Sequence, residues 1–282
     1  MIQSLVALFT LPDLRKRLLW TLGLIVAFRL GVHIPVPGVD NAAILARFGA
    51  EGLLGFLDLF TGGALVRFSI FALGIIPYIN ASIIMQLLQV VIPQLEEMRK
   101  EDDDGRKRLA QYTRYLTVFL AAFQSIGMAF FFRAFLLPDY SFTLFLISTV
   151  ITLTAGSMLV MWIGEVMTER GIGNGASLLI FVGIVARIPA YISRTVQLVQ
   201  GGASLLGVII VLVVFAAMVV GIVIIQEGQR RVPVQYAKRV VGRKVYGGQS
   251  TYIPLRINQG GVLPIIFASS VLLFPATMAQ FI

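Results

Sequence analysis

The sequence predicts an all-α polytopic membrane protein, on three observations. Hydrophobic residues make up 57% of the 282-residue chain and charged residues 13%, against about 45–50% and about 25% in soluble domains. Its mean hydropathy is +0.88. Uninterrupted apolar runs of about 20 residues, long enough to cross a bilayer, recur along the chain. Basic residues gather in alternate connections between those runs, as the positive-inside rule requires.

The first span reads as Leu18–Val36, behind the basic run Arg15-Lys16-Arg17. A basic run before a segment long enough to span, with no small-residue cleavage site after it, reads as a retained span and not a cleaved signal. Glu51–Arg67, EGLLGFLDLFTGGALVR, is apolar but short, and Gly52, Gly55, Gly62 and Gly63 interrupt it. That pattern predicts a re-entrant segment, which only protein or a water-filled cavity can receive. The second span, Phe68–Ile92, holds Pro77 and Asn80 in its middle. Pro77 has no N–H, so the Leu73 carbonyl loses its helical partner and a kink is expected there. Ile75, Ile79 and Ile83 recur every four residues and share one helical face. The remaining spans read as Tyr115–Leu137, Thr143–Gly164, Asn174–Ile192, Ser204–Gln226 and Gln259–Ile282.

Arg15–Arg17, Arg99 to Arg114, and Arg230 to Arg256 lie in alternate connections, which puts those connections and the N-terminus in the cytoplasm. The stretch QLEEMRKEDDDGRKR carries both signs of charge and reads as a solvated connector. The connection from Glu227 to Asn258 is different. VPVQYAKRVV and STYIPLRI are rich in β-branched and aromatic residues, with YGGQ as a turn between them, and together they predict a cytosolic hairpin. Its cations include Arg230, Arg231, Lys238, Arg239, Arg243 and Lys244, against the single acid Glu227. They suit either an anionic lipid surface or an anionic docking partner.

Enzymatic chemistry finds little to use. There is no cysteine and one histidine, His33, which removes thiolate chemistry and HExxH metal sites. Nothing suggests a metal or a cofactor, and no GxxxxGK[ST] loop offers a nucleotide site. A coupled transporter needs ionisable groups near mid-membrane. Here Arg29, His33, Arg133 and Arg187 fall towards span ends, Glu165 is at a span end, and no acid lies inside a span. Arg29 reads as a structural partner for backbone carbonyls. Asn80, Gln124 and Ser270 each need a partner away from water, as interhelical glue or as a seam that opens, since each such contact is worth only about 1 kcal/mol.

The segment TGGALVRFSIFALGIIPYINASIIMQLL resembles the plug and second span of the SecY family, the protein-conducting channels of the bacterial general secretion pathway. TERGIGNGASLLIF, Thr168–Phe181, is similar to the start of the family's fifth span. GQRRVPVQYAKR and GVLPIIFASSVLLFPAT are similar to its sixth loop and seventh span. The resemblance implies a SecY-like helix bundle. Residues 1–192 would be a first half of five spans with a plug at about 55–67. Residues 193–282 would begin the second half with span six, the basic loop 227–258 and span seven. The family has ten spans, and the chain reaches the seventh. The resemblance further implies a constricting ring of Ile75, Ile79, Ile180 and Ile266. It implies a plug of Leu59, Phe60, Thr61, Gly62, Gly63, Ala64, Leu65, Val66, Arg67 and Phe68, and a lateral gate including Asn80, Gln124, Ser270 and Phe274. The implied function is passage of unfolded polypeptide across the bacterial cytoplasmic membrane, with lateral release of signal peptides and membrane segments into lipid. The implied partners are the small subunits SecE and SecG, the ATPase SecA and the ribosome. A secondary transporter with discontinuous helices is the alternative; it requires the mid-membrane ionisable groups that the spans lack. A pure scaffold would not need the glycine-broken segment.

Overall fold

The computed structural model describes residues 11–48, 58, 60–100, 103–202, 204–234, 239–241, 244–246 and 251–258. The seventh span and Leu59, Lys238, Arg243, Ile266, Ser270 and Phe274 lie outside the described residues. The described residues cluster into two compact units that meet in sequence between Tyr191 and Ile192.

The first unit is helical. Helix α1 spans Pro12–Gly31, earlier in the chain than the apolar run predicted, because Pro12 suits the first helical turn, where no N–H is needed. Arg15, Lys16, Arg17 and Arg29 lie within it. Helix α2, Asn41–Phe48, follows. Helix α3 spans Ile76–Val91 and helix α4 Pro93–Lys100, with a bend of 103° between them. Helix α5 spans Asp103–Phe131 and ends in a 3₁₀ turn, Phe132–Phe135. Helix α6 is Phe142–Arg170. Helices α7, Gly175–Val185, and α8, Ile188–Gln200, divide the predicted fifth span around Arg187. The Asn174 side chain accepts a hydrogen bond from the Ser177 N–H at 3.0 Å and caps α7.

Two expectations are corrected here. Residues 62–75 are a run of turns and not the first half of a helix. Pro77 therefore falls in the first turn of α3 and kinks nothing. The mixed-charge connector is largely helical, as α4 and the start of α5, with exposed pairs Glu96–Lys100 at 2.7 Å and Asp104–Lys107 at 3.6 Å.

The packing is the kind a lipid solvent demands. On α5, Thr117, Ala121, Ser125 and Ala129 are buried at intervals of four. Small residues so spaced let α6 approach closely. Large side chains point outward instead: Phe119, Phe123 and Phe130 on α5, and Leu144, Ile147 and Ile151 on α6. Arg114 of α5 makes two hydrogen bonds to Glu165 of α6, at 3.0 and 2.9 Å. Arg17 donates to the Gly171 carbonyl at 3.3 Å, and the Ile172 N–H donates to Thr21 at 3.2 Å. These bonds tie α1 to the α6–α7 connection.

In the second unit, helix α9 spans Leu205–Glu227 and none of its residues is buried. Strand β1, Gln229–Val234, pairs antiparallel with β4, Thr251–Arg256, in the register Gln229↔Arg256 to Val234↔Thr251. Strands β2, Arg239–Val241, and β3, Lys244–Tyr246, form a separate antiparallel pair with Val241 opposite Lys244. The expected turn at YGGQ falls, beyond Tyr246, outside the described residues.

Among the described residues four helical stretches are long and apolar enough to cross a membrane: Asp103–Phe135, Phe142–Arg170, Gly175–Gln200 and Leu205–Glu227. The bent α3–α4 pair raises that to five. The four cations of α1 keep it outside that set.

Candidate functional site

The turns of residues 62–75 need left-handed backbone. Gly62, Gly63 and Gly74 supply it, with φ of 68°, 98° and 55°. Among the described residues Phe68 is the one non-glycine residue at positive φ, 44°, a strained position for a bulky side chain. It is fully buried, with its ring centroid 4.4 Å from that of Phe132 and 6.1 Å from that of Phe145. That packing holds the strained backbone in place. The segment is also tied to the end of α1: the Val36 N–H donates to the Phe68 carbonyl and the Ile70 N–H to the Ile34 carbonyl, each at 2.9 Å.

Asp58 organises the turns from within. It is fully buried. Its Oδ1 accepts from the Leu65 N–H at 2.9 Å, the Val66 N–H at 3.1 Å and the Thr61 hydroxyl at 3.0 Å. Its Oδ2 takes no directed hydrogen bond but lies against the guanidinium of Arg187, as an ion pair. Arg29 on α1 donates to the Gly62 carbonyl at 2.9 Å, as expected for a partner of backbone carbonyls.

Three helices receive the segment at glycines. A Cβ at Gly31 of α1 would come within 2.0 Å of the Phe71 ring, and one at Gly156 of α6 within 1.9 Å of the Ile70 carbonyl oxygen. A Cβ at Gly62 would lie 2.9 Å from the Cα of Gly183 on α7. A non-helical segment thus sits among three helices where no side chain would fit.

The described ring residues meet in one place. Ile75 is buried in a cluster with Leu24, Phe28, Phe71, Ile163 and Leu179, and Ile79 and Ile180 pack against it half-buried. Asn80 on α3 and Gln124 on α5 are half-buried, and among the described residues neither side chain makes a hydrogen bond. Of the basic hairpin, Arg230 and Arg231 are exposed on β1, and the Arg231 guanidinium stands 4.7 Å from the centre of the Tyr252 ring. Arg239 opens β2 and Lys244 opens β3.

The SecY family model matches residues 69–282, about three quarters of the chain. A protein translocase subunit SecY from Streptomyces scabiei is 48% identical over 299 residues, covering 100% of this chain and 68% of the relative. The chain belongs to the SecY family. A protein translocase subunit SecY from Synechococcus elongatus is 50% identical over 278 residues. The chain spans 62% of the length of that relative. Among solved structures, one described as that of a protein conducting channel matches with a TM-score of 0.63 at 19% identity. It covers 95% of this chain and 59% of the other. Another, from work on the SecY plug domain, matches with a TM-score of 0.63 at 20% identity and covers 94% and 58%. At those identities the likeness is one of fold.

For this SecY-family chain, sequence reasoning missed the residues that hold the glycine-broken segment: Asp58, Arg187 and Gly183. One signal for Asp58 was available. It is an acid within an apolar stretch, where a charge needs a partner. Nothing local pointed from it to Arg187, which is far away in sequence. Gly183 looked like any glycine in an apolar helix. Its role appears only when Gly62 is placed against it.

Proposed function

We propose that the chain forms the pore of a Sec-type channel that passes unfolded polypeptides across the bacterial cytoplasmic membrane and releases hydrophobic segments sideways into lipid. The observation that carries this reading is the non-helical segment 62–75, seated among α1, α6 and α7. A helix bundle with no traffic through it has no use for a stretch of turns at its centre. Its first turns, up to Phe68, belong to the plug, Leu59–Phe68. Ile75, Ile79, Ile180 and Ile266 form the constriction, because branched apolar side chains dewet a narrow opening and bar ions. Asn80 and Gln124, with Ser270 and Phe274, line the lateral gate.

Residues 1–192 act as one half of the channel and residues 193–282 begin the other. The N-terminus is cytoplasmic, as the basic residues before and between the spans imply. The hairpin with Arg230, Arg231, Lys238, Arg239, Arg243 and Lys244 then faces the cytosol and docks SecA or the ribosome. SecE and SecG complete the membrane assembly. The energy comes from those partners, and the chain acts as a channel and not a catalyst.

The test is electrical. The chain, assembled with its partners in lipid vesicles, should conduct ions poorly at rest and conduct when a signal peptide is added. Deleting Thr61–Val66 should raise the resting conductance. Parental resting conductance in the deletion, together with no response to signal peptide, would end the channel reading.

A further inference from the structure

The two carboxylate oxygens of Asp58 do different work. Oδ1 accepts from Thr61, Leu65 and Val66, all within the plug. Oδ2 faces Arg187, at the break between α7 and α8. We propose that the Asp58–Arg187 ion pair is a latch that holds the plug on the fifth span, and that separating this pair, with the plug's own turns intact, is the step that frees the plug. The proposal rests on the channel reading above.

The plug's backbone contacts with α7 and α1 are weaker holds. Gly62 meets Gly183 backbone to backbone, so little apolar area is buried there. Arg29 reaches only a carbonyl oxygen. Arg29 feels the charges of Arg67 and Arg187, and Asp58 is the acid paired with Arg187. When the plug leaves, Asp58 and Arg187 rehydrate together, so the intact pair can separate. Removing one partner has a different effect. It leaves an uncompensated charge in the closed state only, which is far more costly than the pair's net worth. The Arg187 side chain retains 17% exposure, so water tempers that penalty without removing it.

Asp58→Asn keeps an oxygen for Leu65 and Val66 while removing the charge, so the plug's turns are retained. Arg187→Gln breaks the pair from the other side and serves if the first variant folds poorly. Plug release is read by adding Val66→Cys, a position only 5% exposed when the plug is seated, and measuring its labelling by a membrane-impermeant maleimide. The chain has no other cysteine. Resting conductance is measured in parallel on the assembled channel in vesicles.

Each single variant should raise labelling and conductance about tenfold or more, less than losing one member of a completely buried pair implies, because Arg187 keeps part of its exposure. The double variant should leak less than either single one, because no lone charge remains. Singles at the parental rate, or a double variant whose effect is the sum of the singles, would overturn the latch. If those results come while deletion of Thr61–Val66 still raises conductance, the latch fails and the channel reading stands. If the deletion is also silent, the channel reading fails with it.

Discussion

Replacing Gly183 should unseat the plug without unfolding the bundle. A Cβ at this position would lie 3.2 Å from the Gly62 nitrogen, 3.2 Å from the Phe60 carbonyl oxygen and 3.4 Å from the Gly62 Cα. With Gly183→Ala the plug must give by a few tenths of an ångström. The substitution also raises helix propensity by about 1 kcal/mol. The two effects act on different equilibria: propensity strengthens α7 whether or not the plug is seated, whereas crowding acts only on the seated state. Thermal stability should therefore hold, with a small rise in resting leak. Gly183→Val adds two more carbons where plug backbone already sits. Overpacking of that kind costs about 1–3 kcal/mol. At about 2 kcal/mol the ratio of seated to free plug falls roughly 30-fold. The assay is resting conductance of the assembled channel in vesicles, with the melting temperature measured alongside. Gly207→Val is the control, because nothing lies within 4 Å of a Cβ there. A Gly183→Val channel as tight as the parent would refute the idea that the plug rests on α7.

Ile79→Asn should wet the constriction, raise small-ion leak and improve export of a substrate with a defective signal, because about 1–3 kcal/mol of apolar burial is lost from the closed state. Poorer insertion with neither leak nor rescue would put Ile79 against lipid. Cysteines introduced by Asn80→Cys and Phe274→Cys should form a disulfide only when their Cα atoms come within roughly 7 Å. The locked channel should stop transporting until reduced, and transport at the normal rate while locked would move the gate elsewhere. Reversing the charge of Arg243 and Lys244 together, each to Glu, should weaken binding of a cytosolic partner at low salt and leave folding unchanged. Unchanged partner affinity at low salt would make the hairpin a lipid-headgroup anchor.

The elements legible in the sequence were those whose physics is local. Helices α5, α6 and α9 follow directly from apolar length, and the Glu227–Asn258 connection declared its strands through β-branched and aromatic residues. The second span was misread at its start because hydropathy has no view of backbone sign. Phe68 to Ile75 is as apolar as a helix, yet Phe68 and Gly74 turn left-handed and end any helix there. Pro77 was read as a kink for the same reason: its effect depends on where the helix begins. The family was legible through resemblance and the broken segment through its glycines, whereas the residues that hold that segment were not. The Asp58–Arg187 pair and the Gly62–Gly183 contact join residues distant in the chain, and no spacing rule links them.

The order in which the chain is made gives the Asp58 turns a second use. Arg187 is synthesised 129 residues after Asp58, an interval of roughly 6–26 s at ordinary elongation rates. The receiving glycines, Gly156 on α6 and Gly183 on α7, also come well after it. Through that interval the segment has no dock, and its backbone donors would otherwise sit unpaired in or beside a greasy, half-built bundle. The hydrogen bonds from Leu65 and Val66 to Asp58 reach back only seven and eight residues. They can form as soon as the segment exists. The carboxylate thus keeps a nascent stretch of turns satisfied until its arginine arrives, and biogenesis, as much as sealing, would favour an acid at this position.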